Sequence, residues 1–325
     1  MAHEVESMFY VGAVPWHQLG YRFLEPPSIE EALRESGCDW TTTLMELSIT
    51  DERMNALPVI LGTGHHAVVR DTDHSVLGVV GPGYHPVPNR EAFQWFQPFL
   101  DAGQATLECA GSLKGGRIVW ILARLCRDDL TIRDGDNVRP YLLLSNSHDG
   151  SMSLRVGFTP VRVVCMNTLS MSHRDGGSQL LRIKHTSGIH DALVLAQQLA
   201  DTAYADFRAT AEDYRRLAQL PIALSDVEKY IRKVFAYDEV EKLPTRSQNI
   251  VGDVWDRFSR PRGGLQTGTR TWWDGYNAVT DYLTHAAGRT PDSRLQSQWF
   301  GNNAQRNSHA LETALVMSGS AAQSN

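Results

Sequence analysis

Apolar residues are spaced differently in the two parts of the chain, and the spacing predicts strands before about residue 187 and helices after it. "TTTLMELSI" (41–49), "HAVVR" (66–70) and "SVLGVVG" (75–81) are short β-like runs bounded by Gly, Asp and Thr. In "NREAFQWFQPFLDAG", Asn89 stands at an N-cap position and Phe93, Phe96, Phe99 and Leu100 share one face of a predicted helix. A meander follows. "QATLECAGSL" and "RIVWILARL" are joined at Lys114-Gly115-Gly116, and "VRPYLLLSNS" and "SMSLRVGF" at His148-Asp149-Gly150. Glycine in both turns supplies the positive φ of a tight hairpin, so the strands pair antiparallel. A last strand, "VRVVCMN", is predicted after Thr159-Pro160.

From residue 187, "SGIHDALVLAQQLADTAYADFRATAEDYRRLAQL" keeps helical spacing without an internal proline and predicts one helix of roughly 30 residues, about 45 Å long. Ser225 and Glu228 form a capping box ahead of "VEKYIRKVF", and "WWDGYNAVTDYLTH" carries Trp272, Tyr276, Val279 and Leu283 on one face. "SRPRGGLQTGT" (259–269) predicts a loop between two helices. No repeat of fixed period is present. Together these elements predict an α+β fold: an antiparallel β-meander packed on a long helix, with a helical C-terminal half. The predicted division is an α+β domain over 1–186 and a helical region over 187–325, ending in a small polar tail.

A chain of 325 residues with 42% hydrophobic content can bury a substantial core. It has no run of 18 apolar residues, and "MAHEVESMFYVGAVPW" is acidic where a secretory signal is basic and then apolar, so neither a membrane span nor a signal is expected. Cys38, Cys109, Cys126 and Cys165 form no CxxC pair, which fits a reducing compartment. The net charge of -6 opposes bulk attraction to polyanions, but its placement changes the picture. Residues 1–53 carry roughly -7, which leaves the remainder near +1. Arg155, Arg162, Arg174, Arg182 and Lys184 stand against Asp175 alone over 155–185, roughly +4. Any polyanion binding therefore rests on a local basic face.

Candidate chemistry is concentrated in "SHDGSMSLRVGFTPVRVVCMNTL" (147–169). Strand alternation there puts Met152, Leu154, Val156 and Phe158 on one face and Ser151, Ser153, Arg155 and Gly157 on the other. Hydroxyls, a cation and a position without bulk suit a sugar-phosphate backbone; they also make an ordinary solvated sheet face. Arg162, flanked by β-branched residues, reads as buried and paired with either an acid such as Asp149 or an anionic ligand. A nucleophilic Cys165-His148-Asp149 set is opposed by the adjacency of His148 and Asp149 in one turn. His65 and His66 point to opposite faces if extended, and His173, His185 and His190 lack ligand spacing, so no metal is expected. "GSLKGGRIVW" lacks the Gly-Lys-Ser/Thr ending of a phosphate loop and reads as a hairpin presenting Lys114 and Arg117. Trp16 and His17 read as a packed anchor.

"PWHQLG", "AGSLKGGRIVW", the 147–169 stretch and "GTRTWWDGYNAVTDYLTH", in that order, resemble the phage/plasmid-like proteins catalogued as a bacterial and bacteriophage domain of unknown function of the DUF932 type, up to about residue 310. The resemblance implies mobile elements and the cytoplasm of a bacterial host or phage-infected cell. A β-meander leading into a long helix is also similar in architecture to Rad-type single-strand annealing recombinases. That likeness implies single-stranded DNA binding and strand annealing in phage or plasmid recombination, by a homo-oligomeric ring or filament without membrane, catalytic residue, cofactor or metal. Under it Lys114, Arg117, Arg155, Arg162, Arg182 and Lys184 contact phosphates, and His148, Asp149 and Asn167 shape the groove. The acidic N-terminal segment departs from a uniformly basic binder. Two other readings stand beside it: a small-molecule or nucleotide-processing enzyme using His148, Asp149 and Cys165, and a protein-interaction or host-modulating module built on the helical half.

Overall fold

The structure, a computed structural model, describes residues 5–12, 20–49, 61–162, 167–168, 180–198, 200–237, 240–262, 268–288, 294, 297–298 and 301–319. The chain forms two compact units, one of Met1–Cys126, Leu142–Gly157 and Leu180–Ala200, the other of Arg127–Tyr141, Phe158–Gln179 and Asp201–Asn325.

In the first unit β1 (Val5–Val11), β6 (Ala105–Leu113) and β7 (Ile118–Leu125) pair antiparallel, with Phe9 opposite Ala110 and Gly111 opposite Trp120. A short β2 (Tyr21–Phe23) adds to β1 in parallel. β7 is buried from Ile118 to Leu122 on successive positions, so both its faces are covered. Lys114, Gly115 and Gly116 all have positive φ in the β6–β7 turn, as the glycine pair predicts. A side chain at Gly116 is also excluded by contact, because a Cβ there would lie 2.0 Å from Arg70 Nη2. The strand runs at 41–49, 66–70 and 75–81 form a separate antiparallel sheet of β3 (Thr42–Ile49), β4 (Leu61–Arg70) and β5 (Val76–Val80). α1 (Ile29–Glu35) opens on a reciprocal capping box of Ser28 and Glu31 and buries Ile29, Ala32 and Leu33.

The helix expected over 89–103 is instead two short ones, α2 (Asn89–Gln94) and α3 (Gln97–Asp101). Pro98 sits in the first turn of α3 and has no N–H to continue the ladder of α2. Asn89 is not the cap; Pro88 holds that position and the Asn89 side chain turns into the core. The aromatic face is buried as expected, with Phe93 and Phe96 inaccessible to solvent, and Trp95 donates its indole N–H to the Leu193 carbonyl, 2.9 Å away.

β9 (Asp136–Ser147) and β10 (Leu154–Arg162) contribute to both units along their length. The main sheet has the order β11-β10-β9-β7-β6-β1-β2, with β11 at Asn167–Thr168; off this path β8 (Leu130–Arg133) pairs β9 and β12 (Leu180–Ile183) pairs β10. The order β10-β9-β7-β6 keeps the predicted meander, and the β8 hairpin is an addition to it. β10 continues through Thr159-Pro160, where the sequence suggested a break before a strand at 161–167. Residues 154–157 pair with β12 and 161–162 with β11, so Pro160 falls between the two edge partners, where its missing donor costs no described edge bond.

The single helix expected after residue 187 is α4 (Ile189–Gln198) and α5 (Ala200–Gln219), with Leu199 outside the described residues. α4 buries Ile189, Leu193 and Ala196 in the first unit, whereas Phe207, Ala211, Tyr214 and Leu217 of α5 are buried in the second. A helix whose apolar stripe must serve two separate cores has no single surface to follow. In the second unit α6 (Leu224–Val234) has Ala223 as its N-cap, two residues ahead of the expected cap Ser225; Ser225 is already helical and Glu228 pairs with Arg232 at 2.9 Å. α7 (Thr245–Ser259) precedes the predicted loop, of which 263–267 lie outside the described residues.

α8 (Trp272–His285) is the centre of this unit, packed by α6, α7 and α9 (Asn302–Met317). Trp272, Tyr276, Val279 and Leu283 are buried as the periodicity predicts. So is Trp273, whose indole donates to Asp136 at 2.8 Å, while Arg133 lies 2.6 Å from Asp274 and 3.3 Å from Asp136. Asp274 in turn accepts from the Thr271 N–H and hydroxyl at 2.9 and 3.0 Å, which caps the helix. No helix among the described residues is long and apolar enough to cross a membrane. Trp273→Ala is expected to lower unfolding free energy by about 3–5 kcal/mol in urea titration, and Trp273→Phe by about 1–2, since Phe fills most of the volume but leaves the Asp136 carboxylate short of a donor.

Candidate anion-binding site

The turn at His148-Asp149-Gly150 is set from the core outward. His148 is inaccessible to solvent, and its backbone N–H donates to the Arg117 carbonyl at 2.7 Å. The Asn89 amide nitrogen donates to the Cys38 and Trp40 carbonyls at 3.0 and 3.4 Å, so its oxygen is the acceptor for His148 Nε2–H at 2.8 Å. The Trp40 ring lies 5.0 Å from the imidazole and 4.6 Å from the Arg70 guanidinium. Arg70 is fixed by Glu6 at 2.8 and 3.2 Å and by the Gly115 carbonyl at 2.6 Å. Burial above all, then the nearby His185, pushes the His148 pKa down to about 3, so the ring is neutral. β5 comes close to the turn because Gly78 has no side chain: a Cβ there would be 2.4 Å from Asp149 Cα. Asp149 accepts from the Ser151 N–H at 2.9 Å and so closes its own turn. His148 and Asp149, expected to shape a groove, thus lie respectively in the core and in the turn that the core positions.

Against this turn lies an open surface cavity lined by Gly81, Gly83, Tyr84, Ser153, Lys184 and His185, among others. The Tyr84 and His185 rings stack at 4.7 Å and 21°, and the Tyr84 hydroxyl donates to the Ser147 carbonyl at 2.6 Å. Burial, with the Asp149 charge, holds the Tyr84 phenol protonated by raising its pKa well above the ordinary range. His185 is 8% exposed. Its carbonyl accepts from the His85 N–H at 3.1 Å, and its Nδ1 lies 3.1 Å from the His85 carbonyl. A carbonyl only accepts, so Nδ1 carries the proton and Nε2 is a lone-pair acceptor without a partner among the described residues. Burial lowers the His185 pKa, which keeps the ring neutral near neutral pH.

The β10–β12 register supplies the charge. Leu154 pairs with Ile183 and Arg155 with Arg182; Leu154, Val156 and Ile183 are buried, which puts Arg155 and Gly157 of β10 and Arg182 of β12 on the opposite face, with Ser153 and Lys184 just beyond the strand ends. Ser153 and Lys184 reach the cavity wall, so the cavity and the arginine pair share one strip of sheet. Like charges directly opposite one another destabilise an antiparallel pair, and an anion placed between them removes that cost. Burial, then the Arg182 charge, lowers the Arg155 pKa. Among the described residues neither Arg182 nor Lys184 forms an ion pair with a carboxylate.

Of the six cations singled out in the sequence, Arg155, Arg182 and Lys184 are brought together here. Lys114 and Arg117 flank the β6–β7 turn and do not line the cavity. Arg162 and Asn167 pair through their backbones in the second unit; their side chains, and Cys165, lie outside the described residues. Gly81, Gly83, Tyr84 and His185 were not anticipated, although "GPGYHPVP" marks a tight turn and His185 directly follows the basic strand. Among the described residues no three His, Cys, Asp or Glu side chains are grouped to hold a metal ion.

A family model described as "Domain of unknown function (DUF932)" matches residues 76–311, a span that contains the cavity, the arginine pair and the buried histidine. No curated protein and no solved structure matches the chain.

Two stability measurements follow from the buried histidine. Asn89→Ala leaves two carbonyls and His148 without their partner and is expected to cost about 2–4 kcal/mol in urea titration at pH 7. The unfolded imidazole titrates near 6.5 and the folded one only near about 3, so between those values the unfolded chain binds a proton that the folded chain does not. His148 therefore costs nothing above pH 6.5 and lowers stability by about 1.4 kcal/mol per pH unit as pH falls toward 3; His148→Gln is expected to remove that slope.

Proposed function

We propose that this chain, which belongs to the DUF932 family of proteins of unknown function, binds single-stranded DNA by its sugar-phosphate backbone along the strip formed by Arg155, Arg182 and Lys184. The observation that carries this reading is the exposed row of Arg182 and Lys184, with Arg155 in register opposite Arg182. Cations in register on neighbouring strands oppose one another, and a phosphate on the exposed Arg182 offsets that repulsion with charge-assisted hydrogen bonds. Lys184 directly follows β12, two residues on from Arg182 and about 6.8 Å away in extended chain, and the two exposed cations form a row that a polyanion can follow. A ligand with one phosphate satisfies the pair; a strand satisfies the row.

In this reading the protein makes and breaks no bond. It holds an extended strand by its phosphates and leaves the bases free to meet a complement, which is what annealing in phage or plasmid recombination requires. The net charge of -6 confines attraction to the strip, and assembly of several copies into a ring or filament would multiply a weak single-site contact.

Fluorescence anisotropy with a labelled oligonucleotide at several salt concentrations tests the proposal. With three phosphate contacts log Kd is expected to rise with log salt at a slope of about 2, at roughly 0.7 per contact. Arg155→Ala with Arg182→Ala is expected to weaken binding tenfold or more and to reduce the slope below about 1. A folded double variant that binds and anneals like the parent would show that the strip is not the DNA site.

A further inference from the structure

Within the first unit the main sheet ends on two strands that no described residue pairs on the outer side: β2 bonds to β1 alone and β12 to β10 alone. At each end apolar packing runs out to the edge. Phe9 is inaccessible to solvent, Phe23 meets its ring edge-on at 5.5 Å, and Tyr21 meets Phe23 at 4.9 Å while itself 50% exposed. Leu24, directly after β2, is 83% exposed. At the other end Leu181 pairs with Val156 and so shares the face of the buried Leu154, Val156 and Ile183, yet it is 41% exposed. A single exposed leucine is ordinary, but each of these continues a buried cluster to an open strand edge. Such an edge is a template for another strand.

Charge decides what can sit on each end. Glu25, Glu30 and Glu31 follow β2 and are exposed, and Arg90 reaches both Asp39 and Glu30, one cation to two acids. Arg22 of β2 turns its Nε–H back to the Gly12 carbonyl at 2.7 Å. The β12 end presents Arg182 and Lys184. Two copies meeting by like ends bring carboxylates against carboxylates or cations against cations; the unlike pairing alone brings opposite signs together. We propose that the β2 end of one copy docks on the β12 end of the next, continuing the sheet from chain to chain and covering Tyr21, Leu24 and Leu181. The joint uses a different surface on each partner, so every added copy offers one unused end, and assembly runs head to tail until a ring closes or a filament grows. Backbone edges make the joint, and Arg155 keeps its place on the sheet face. The inference goes beyond DNA binding and does not depend on it.

Sedimentation velocity across the micromolar range, without nucleic acid, tests the joint with two proteins that each have one end spoiled. Tyr21→Arg with Leu24→Arg reverses the β2 end at exposed side chains, and Leu181→Glu reverses the β12 end. Should Leu181→Glu lose the parent's circular dichroism spectrum, Arg182→Glu takes its place, since that residue is exposed and its change also removes the cross-strand repulsion with Arg155. The parent is expected to form species beyond the dimer, and each variant alone to lose them and sediment as a monomer. An equimolar mixture of the two variants is expected to recover a dimer and nothing larger, because one intact β2 end and one intact β12 end build a single joint. A two-fold joint between like ends recovers nothing on mixing. A monomeric parent, a folded variant that assembles as the parent does, or a mixture that stays monomeric would overturn the proposal and leave the DNA-binding strip untouched.

Discussion

One buried amide holds the first unit's polar geometry in place. Asn89 gives both its hydrogens to carbonyls of the segment before β3 and takes one from His148, so three pieces of chain distant in sequence meet at a single side chain. Each such bond adds only about 1 kcal/mol net, yet losing the amide strands several buried groups at once, and that asymmetry makes the arrangement all-or-none. The neutral state of His148 belongs to the same logic: burial above all, then His185, disfavours a charged ring there, and the Asp149 charge offsets only part of that. What reaches the surface depends on it. Ser147, whose carbonyl receives the Tyr84 hydroxyl, and Asp149, whose backbone rests on Gly78, flank His148 in sequence.

Charge is distributed by the same division of labour. Several arginines of the described chain are matched internally: Arg70 to Glu6, Arg139 to Asp129, Arg133 to Asp274, Arg257 to Asp281. These pairs fix elements within each unit and contribute little to the field outside. Arg182 and Lys184 have no such match among the described residues, and both are exposed. A protein of net charge -6 thus keeps a short positive strip whose reach in physiological salt is about 8 Å, enough to engage a ligand on contact and too short to gather polyanions from a distance.

Local pattern made much of this legible. Alternation over 151–158 placed Arg155 and Leu154 on the correct faces, and the two glycine-bearing turns placed the meander, because each depends on residues within a few positions of one another. Asn89 was misread for the opposite reason. An asparagine ahead of an apolar run looks like a cap, and only the distant carbonyls of Cys38 and Trp40 make it a core group. The long helical pattern after residue 187 was read as one rod because periodicity reports which side is apolar and not how many cores that side must serve. His185 escaped notice since its role comes from the stacking of Tyr84 and a mutual contact with His85, a hundred residues away.

The interleaving of the two units bears on how the chain matures as it is made. The first unit needs 142–157 and 180–200 as well as 1–126, so it has no complete core until residue 200 has left the ribosome. At ~5–20 residues per second, on the order of ten seconds separate Cys126 from Ala200, and the edge of β7 stays unpaired until β9 follows it out. During that interval an unpaired strand edge is open to mispairing with neighbouring chains on the same message, so slower elongation lengthens the exposure without changing final stability.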